Sequence, residues 1–353
     1  MAGAEPLLSS YLHAKGAMLG LPVSGTFELT ARCNFSCPMC YVHLKNAQPE
    51  NELTAAQWLD LARQAKDQGM LFVLLTGGEP FLRKDFFEIY DGMRAMGLMI
   101  SINSNGSLIN GEILQKLVEN PPIRINVSLY GGCAETYQNM CGQNAYTSVV
   151  ENIRALKSAG IDVRLNYSIT PYNRQDMEKI FHISREMDVH IKASSYMYPP
   201  ARLDCHDCCT RLTAAESAAC AVEWDRLRLS PELFDQRCKA AVSTECAVEF
   251  EDGVGCRAGV TSFWVTWDGR MLPCGMMNRP SVDVLSRGFI SSWQQIREEA
   301  NSIRMPKSCL TCVNRPMCSV CAAVCLSETG EFDVVPEYVC KRTEEMLRLM
   351  RKD

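Results

Sequence analysis

Apolar positions along the chain fall into two alternating patterns. Short apolar runs predict strands at residues 25–31, 71–76, 98–103, 123–129, 161–170 and 189–193. Between them, apolar residues recur at helical spacing and predict helices over 55–68, 85–96, 109–118, 146–159 and 176–187. Thr54 is placed to cap the first helix, and Gly69 and Gly97 stand where two of them stop. Six strand–helix units in succession predict an α/β fold with a parallel sheet and helices outside. Right-handed crossovers curl such a sheet towards a partial (β/α)6 barrel.

The later strands carry a second signal. Ile123, Ile125, Val127 and Leu129 interleave with Arg124, Asn126 and Ser128. Val163, Leu165, Tyr167 and Ile169 interleave with Arg164, Asn166 and Ser168, and Val189, Ile191 and Ala193 with His190 and Lys192. A strand buried on both faces reads as a continuous apolar run, as residues 71–76 do. Alternation therefore predicts one face against something polar. That face lines a wet, ligand-holding lumen if helices cover the outside, or meets solvent if the strands form an open edge.

The rhythm stops after residue 195. Residues 196–202 are proline-containing and linker-like, and 212–227 are amphipathic and helical. Cys205, Cys208, Cys209, Cys220, Cys238 and Cys246 are scattered here without a complete cluster spacing. Further on, residues 262–273 read as a hairpin about Trp267-Asp268-Gly269-Arg270, because Asp-Gly favours a tight turn. A last helix is expected over 337–351, with Cys340 in its first turn, where the helix dipole favours a thiolate. The expected organisation is an N-terminal arm (1–22), a partial barrel (23–195), a bridging region (196–250) and a small domain (251–353). That small domain should be cysteine-rich and largely irregular, with a β-hairpin and a C-terminal helix.

Composition narrows the function classes. A net charge of −5 without a basic block gives no footprint for nucleic acid. The first 22 residues lack a charged region followed by a long apolar run, so neither a signal peptide nor a membrane span is expected. The departure is the 19 cysteines. Disulfide scaffolds are short and core-poor, whereas this chain has 353 residues, is 47% apolar and has an odd cysteine count. Thiols held for metal in a reducing cytoplasm fit better, in an anaerobe if the metal is an exposed iron–sulfur cluster.

Three of those cysteines, Cys33, Cys37 and Cys40, sit at spacing C-x3-C-x2-C just after the first strand. A [4Fe–4S] cube usually takes four thiolates. Three from one loop leave an iron open to a small molecule. A zinc ion here would need a fourth ligand, for which His43 is the nearby candidate. Thr76-Gly77-Gly78-Glu79-Pro80 follows the second strand; its glycines allow close backbone approach, and Glu79 offers a carboxylate to an ammonium group.

The cysteine loop, with Tyr41 directly after its third cysteine, resembles the signature of radical S-adenosylmethionine (SAM) enzymes. Gly77, Gly78 and Glu79 match the family's motif for the SAM amino group. By the same resemblance, Ser104 and Asn105 fall in the ribose-contacting segment. Ser128 and Asn166 fall where the family reads the SAM carboxylate or ribose. The C-terminal cysteines resemble the SPASM extension, which binds two auxiliary [4Fe–4S] clusters. Cys309, Cys312, Cys318 and Cys340 would hold the outer one; Cys256 and Cys274 would hold the inner one with Cys321, Cys325 or both. The pattern departs at Ala322, where the family places a cysteine. Sulfatase-maturating members carry an Asp directly after the cysteine matched by Cys274. Gly275 stands there, so that activity is not supported.

The resemblance implies reductive cleavage of SAM and oxidative modification of a substrate, with three clusters and an external reductant such as flavodoxin or ferredoxin. The expected substrate is a ribosomally made peptide, presented directly or by a separate peptide-recognition protein. A small-molecule dehydrogenase is the first alternative. A non-enzymatic electron carrier would need neither Gly-Gly-Glu-Pro nor a polar lumen.

Overall fold

The computed structural model describes residues 7–42, 49–200, 202, 210–242 and 252–351. The chain begins with α1 (Leu8–Leu19), β1 (Ser24–Glu28), α2 (Ala55–Asp67), β2 (Phe72–Thr76), α3 (Phe86–Ala95) and β3 (Met99–Ser104). Next come α4 (Gly111–Glu119), β4 (Arg124–Ser128), α5 (Ala134–Cys141), α6 (Tyr146–Ser158), β5 (Val163–Ser168), α7 (Met177–Glu186) and β6 (His190–Ser194). After these lie α8 (Ala214–Arg228), α9 (Pro231–Val242), β7 (Ser262–Val265), β8 (Arg270–Leu272) and β9 (Val282–Asp283). The chain ends with α10 (Val284–Arg287), α11 (Phe289–Ser302), α12 (Lys307–Leu310), α13 (Ala322–Thr329) and α14 (Glu337–Met350). The fold is mixed α/β around parallel strands. No helix among the described residues is long and apolar enough to cross a membrane.

Two compact units interleave along the chain. One comprises the residues up to Asn34, Val42–Asn103 and Gly253–Ile303; the other comprises Phe35–Tyr41, Ser104–Asp252 and the residues from Arg304 onward.

In the first unit the strand order is β3-β2-β1-β7-β8-β9. β1 lies between parallel neighbours, β2 and β7, and the β7–β8 hairpin forms where the Asp-Gly turn predicts it. Thr54 and Gln57 start α2 with a reciprocal capping box, which satisfies backbone N–H groups that the first turn leaves open. Phe27, Trp58, Phe263 and Phe289 are fully or almost fully buried between sheet and helices. The Phe27–Trp58 and Phe263–Phe289 ring centres are each 5.0 Å apart, in contact range for aromatic pairs.

In the second unit β4, β5 and β6 are parallel neighbours, with Ser128 beside Asn166 and Tyr167 beside Ala193. The alternation read from the sequence is physical. Ile125, Val127, Val163, Leu165 and Tyr167 are buried, while Asn126, Ser128 and Asn166 on the opposite face are partly exposed. α8, begun by a Thr213–Glu216 capping box, packs with α9 and α14 around Ala218, Val222, Met346, Leu347 and Met350.

Two expectations change. β1 ends at Glu28 rather than 31, because the carbonyls of Thr30 and Arg32 accept from Gly78 and Glu79 and the chain turns out of the ladder. The C-terminal part is also less irregular than expected: α11 and α13 are helices that the sequence reading omitted. The signal for α11 was present, since Phe289, Trp293, Ile296 and Ala300 are its buried stripe at helical spacing. α5, α9 and the short α10 and α12 also lie outside the expected set of helices.

Candidate functional site: the cysteine loop, its glycine turn and the C-terminal thiols

β1 and β2 run in register, Glu28 beside Thr76, so both strands end at one level in the first unit. Beyond that level, Gly78 N–H donates to the Thr30 carbonyl at 2.7 Å and Glu79 N–H to the Arg32 carbonyl at 2.9 Å. A Cβ on Gly78 would lie 2.2 Å from the Arg32 oxygen and 3.0 Å from the Cys33 Cβ. Only glycine lets the second strand's turn lie directly against the start of the cysteine loop. Glu79 is completely buried, and its Oε1 accepts from the Phe81 N–H at 3.2 Å. At least one of its oxygens therefore caps the turn at Pro80–Leu82.

A polar knot that the sequence did not reveal fixes this strand end. Arg83 is buried; it donates to the carbonyls of Leu29 at 2.8 Å and Leu53 at 2.9 Å, and to both oxygens of Asp85 at 2.9 and 2.7 Å. Glu52 receives both prongs of Arg32, at 2.9 and 3.0 Å, and the Thr30 hydroxyl. Burial pushes the Asp85 carboxyl up, but the Arg83 bonds and charge outweigh it and hold its pKa below the ordinary value of 3.8.

The rest of the loop belongs to the second unit. Ser36 N–H donates to the Cys141 carbonyl at 2.9 Å, tying the loop to the end of α5. The Cys37 thiol meets the Cys141 thiol, and this contact together with burial raises its pKa well above the ordinary thiol value. Tyr130 and Tyr137 are close by, with the Tyr137 ring 6.3 Å from that of Phe35. Cys141 is thus a neighbour of the loop that sequence reasoning missed; no spacing links it to Cys33–Cys40. The Arg202 guanidinium lies 5.7 Å from the centre of the Tyr41 ring. Ser104 and Asn105 are buried where β3 ends. Ser104 Oγ accepts from Gly106 N–H at 2.9 Å, and Asn105 Oδ1 from Ser107 N–H at 2.9 Å. Ser128 and Asn166 are direct cross-strand partners. His43 and Cys205, Cys208, Cys209 and Cys246 lie outside the described residues. Cys220 and Cys238 are buried, Cys238 in the core between α8, α9 and α14.

The C-terminal thiols divide between the units. In the second, Cys340 lies within electrostatic reach of Cys318, Cys309 and Cys312, and Cys325 within reach of Cys309, Cys321 and Cys318. Burial first, and the neighbouring thiols next, push the Cys340 thiol up to about 11. Burial likewise pushes Cys325 up to about 12. In the first unit, Cys256 accepts from Ala258 N–H at 3.5 Å and Cys274 from Met276 N–H at 3.4 Å. A Cβ at Gly275 would meet the Trp264 ring at 2.7 Å, so the position after Cys274 has no room for a side chain.

Among the described residues, no three His, Cys, Asp or Glu side chains converge closely enough for a single metal ion. A cube instead spreads its thiolates around four irons. The donor chemistry fits that group, with three soft thiols on one loop beside a glycine cradle and a second gathering of thiols around Cys318.

Residues 27–183 match the family described as the Radical SAM superfamily. An AdoMet-dependent heme synthase of Methanosarcina barkeri is 25% identical over 342 residues, which cover 90% of this chain and 95% of that protein. A probable GTP 3′,8-cyclase of Saccharolobus islandicus is 34% identical over 165 residues, 46% of this chain; the chain spans about half, 53%, of that relative. Among solved structures, Streptococcus suis SuiB bound to S-adenosylmethionine superposes with a TM-score of 0.68 at 16% identity, covering 96% of this chain and 82% of SuiB. The matched segment contains both Cys33–Cys40 and Gly77–Glu79, and residues 27–183 form a radical SAM domain.

Proposed function

We propose that this protein is a radical SAM oxidoreductase that modifies a peptide. The observation that carries the reading is the fixed contact between the two motifs. Gly78 and Glu79 hydrogen-bond to the residues leading into Cys33, with no room for a side chain between them. Cys33, Cys37 and Cys40 would hold a [4Fe–4S] cluster with one open iron. Backbone groups at Gly77–Glu79 would orient the methionyl end of SAM, and Ser104, Asn105, Ser128 and Asn166 its carboxylate and ribose. When bound, cluster and SAM supply reductive cleavage to methionine and a 5′-deoxyadenosyl radical that takes a hydrogen atom from substrate. The chain's own part is to orient SAM and keep water from the open iron; the buried Phe35 and Tyr137, with the half-buried Tyr130, beside Cys37 suit that exclusion. The reductant would be a flavodoxin or ferredoxin.

An oxidative outcome rests on the auxiliary clusters, for which Cys309, Cys312, Cys318 and Cys340 would be the outer ligands and Cys256 and Cys274, with Cys321, Cys325 or both, the inner. A peptide substrate is supported by SuiB, whose structure was also solved with its precursor peptide SuiA. A small-molecule substrate is the second reading, favoured by the nearly end-to-end alignment with the heme synthase.

The test is anaerobic reconstitution with iron and sulfide, followed by dithionite and SAM. Wild-type protein should form 5′-deoxyadenosine, measured by chromatography, and Cys37→Ala should not. Equal, background-level product from both would overturn the reading.

A further inference from the structure

The second unit contains a pocket of about 470 Å³, within the usual range for small-ligand sites. β6, the last strand in the sheet order, forms one wall; α8, α9 and α14 contribute the others. The lining is strongly cationic in a chain whose net charge is −5. Lys192, Arg228, Arg237 and Arg342 line it, with Asp225 as the one acidic residue among them. Asp225 is already shared: Arg228 donates to its Oδ1 at 2.7 Å, and Arg237 pairs with its Oδ2.

Arg342 is the unusual member. It is only 8% exposed, so nine-tenths of its surface is removed from water. Its Nε donates to Ser217 Oγ at 2.8 Å and one Nη to Ser195 Oγ at 3.2 Å. Neither partner carries charge, and no carboxylate pairs with it among the described residues; the titratable groups that act on it are the Tyr338 and Tyr196 hydroxyls and the Cys318 thiol. A guanidinium has five donors and does not lose its proton. Burying one without an anion is costly unless something anionic reaches it. The two serines aim it, and the pocket leaves room in front of it.

We propose that this pocket binds a carboxylate-bearing ligand, with Arg342 as the buried anchor and Lys192 as the second cation. The inference goes beyond the proposed function, since none of the residues proposed to hold a cluster or SAM lines this pocket. Binding alone does not depend on radical chemistry, so the two readings fail separately.

The probe is glutarate, titrated calorimetrically into the reconstituted protein without reductant, with glutaramide as its neutral counterpart. Glutarate should bind and glutaramide should not, and raising the salt concentration should weaken binding because the attraction is ionic. Arg342→Gln should weaken binding about tenfold or more, as expected for losing a charge-assisted bond. If Arg342→Gln fails to fold, Lys192→Gln, on the exposed side of β6, should weaken binding severalfold. A capped peptide containing one glutamate, run in parallel, distinguishes the sources; the tighter probe identifies which carries the carboxylate. Equal binding of glutarate and glutaramide, or no loss in either variant, overturns the proposal. So does an Arg342→Gln variant that alters the spectrum of the reduced clusters while keeping glutarate affinity, since Arg342 would then only balance charge at Cys318.

Discussion

At Gly78 the missing side chain is the functional feature. The Arg32 oxygen lies 2.2 Å from where a Cβ would be, and it is a backbone atom, so it cannot swing away as a side chain would. Gly78→Ala should therefore push the glycine turn off the cysteine loop. The expected cost is about 3 kcal/mol of stability, in the range of overpacked cores, read as a lowered urea midpoint. 5′-Deoxyadenosine formation should fall roughly tenfold or more even in the folded fraction, since small displacements at a reacting centre are costly. A variant with wild-type turnover would show that the close approach does not matter. The motif residues were legible because each residue type has a characteristic chemistry: thiols suit a soft metal, and glycines allow close backbone contact. Cys141 was not, because what makes it a neighbour of Cys37 is the path of α5, which no spacing in the chain encodes.

At the scale of elements, Arg83 does what no single strand or helix can do alone. It joins the end of β1 through Leu29, the approach to α2 through Leu53, and the start of α3 through Asp85. Its partner Asp85 has its pKa lowered from 3.8 by those bonds, against the opposing effect of burial. A carboxylate with a depressed folded pKa contributes stability that is fully present above 3.8 and lost as pH falls through the lower, folded value. Asp85→Asn should therefore lower the urea midpoint at pH 7, by on the order of 1 kcal/mol or less because the pair is partly exposed. The difference from wild type should shrink as the pH is taken below 3.8. A gap that stays constant across that window would show that Asp85 acts without its charge. The parallel strands were readable from periodicity, but this knot was not. Arg32, Glu52, Arg83 and Asp85 look like ordinary surface charges until β1 and β2 lie side by side. Likewise α11 shows its stripe of Phe289, Trp293, Ile296 and Ala300 at helical spacing, outside the strand–helix alternation that marks the earlier helices.

Over the whole molecule, the thiols fall into groups that predict separable cluster contents. Cys37 stands with the radical SAM motif, Cys318 at the centre of the gathering with Cys309, Cys312 and Cys340, and Cys256 and Cys274 in the other unit. If each group serves one cube, the reconstituted protein should hold about twelve iron and twelve sulfide atoms per chain. Cys318→Ala should lower both by about four, since a cube that loses one of its four thiolates is poorly retained. It should nevertheless still form 5′-deoxyadenosine, because the proposed open-iron cluster would be held by other residues. Cys37→Ala should lose a similar amount of iron and all of that product. The pairing of iron content with product formation separates three outcomes that activity alone would merge. A wild-type content near four would remove the auxiliary clusters and, with them, the argument for an oxidative outcome. Near eight, with no loss in Cys318→Ala, it would leave a single auxiliary cluster served by Cys256 and Cys274. Twelve, falling to eight in each variant, would make the protein a radical generator with two further clusters available to take an electron from the substrate.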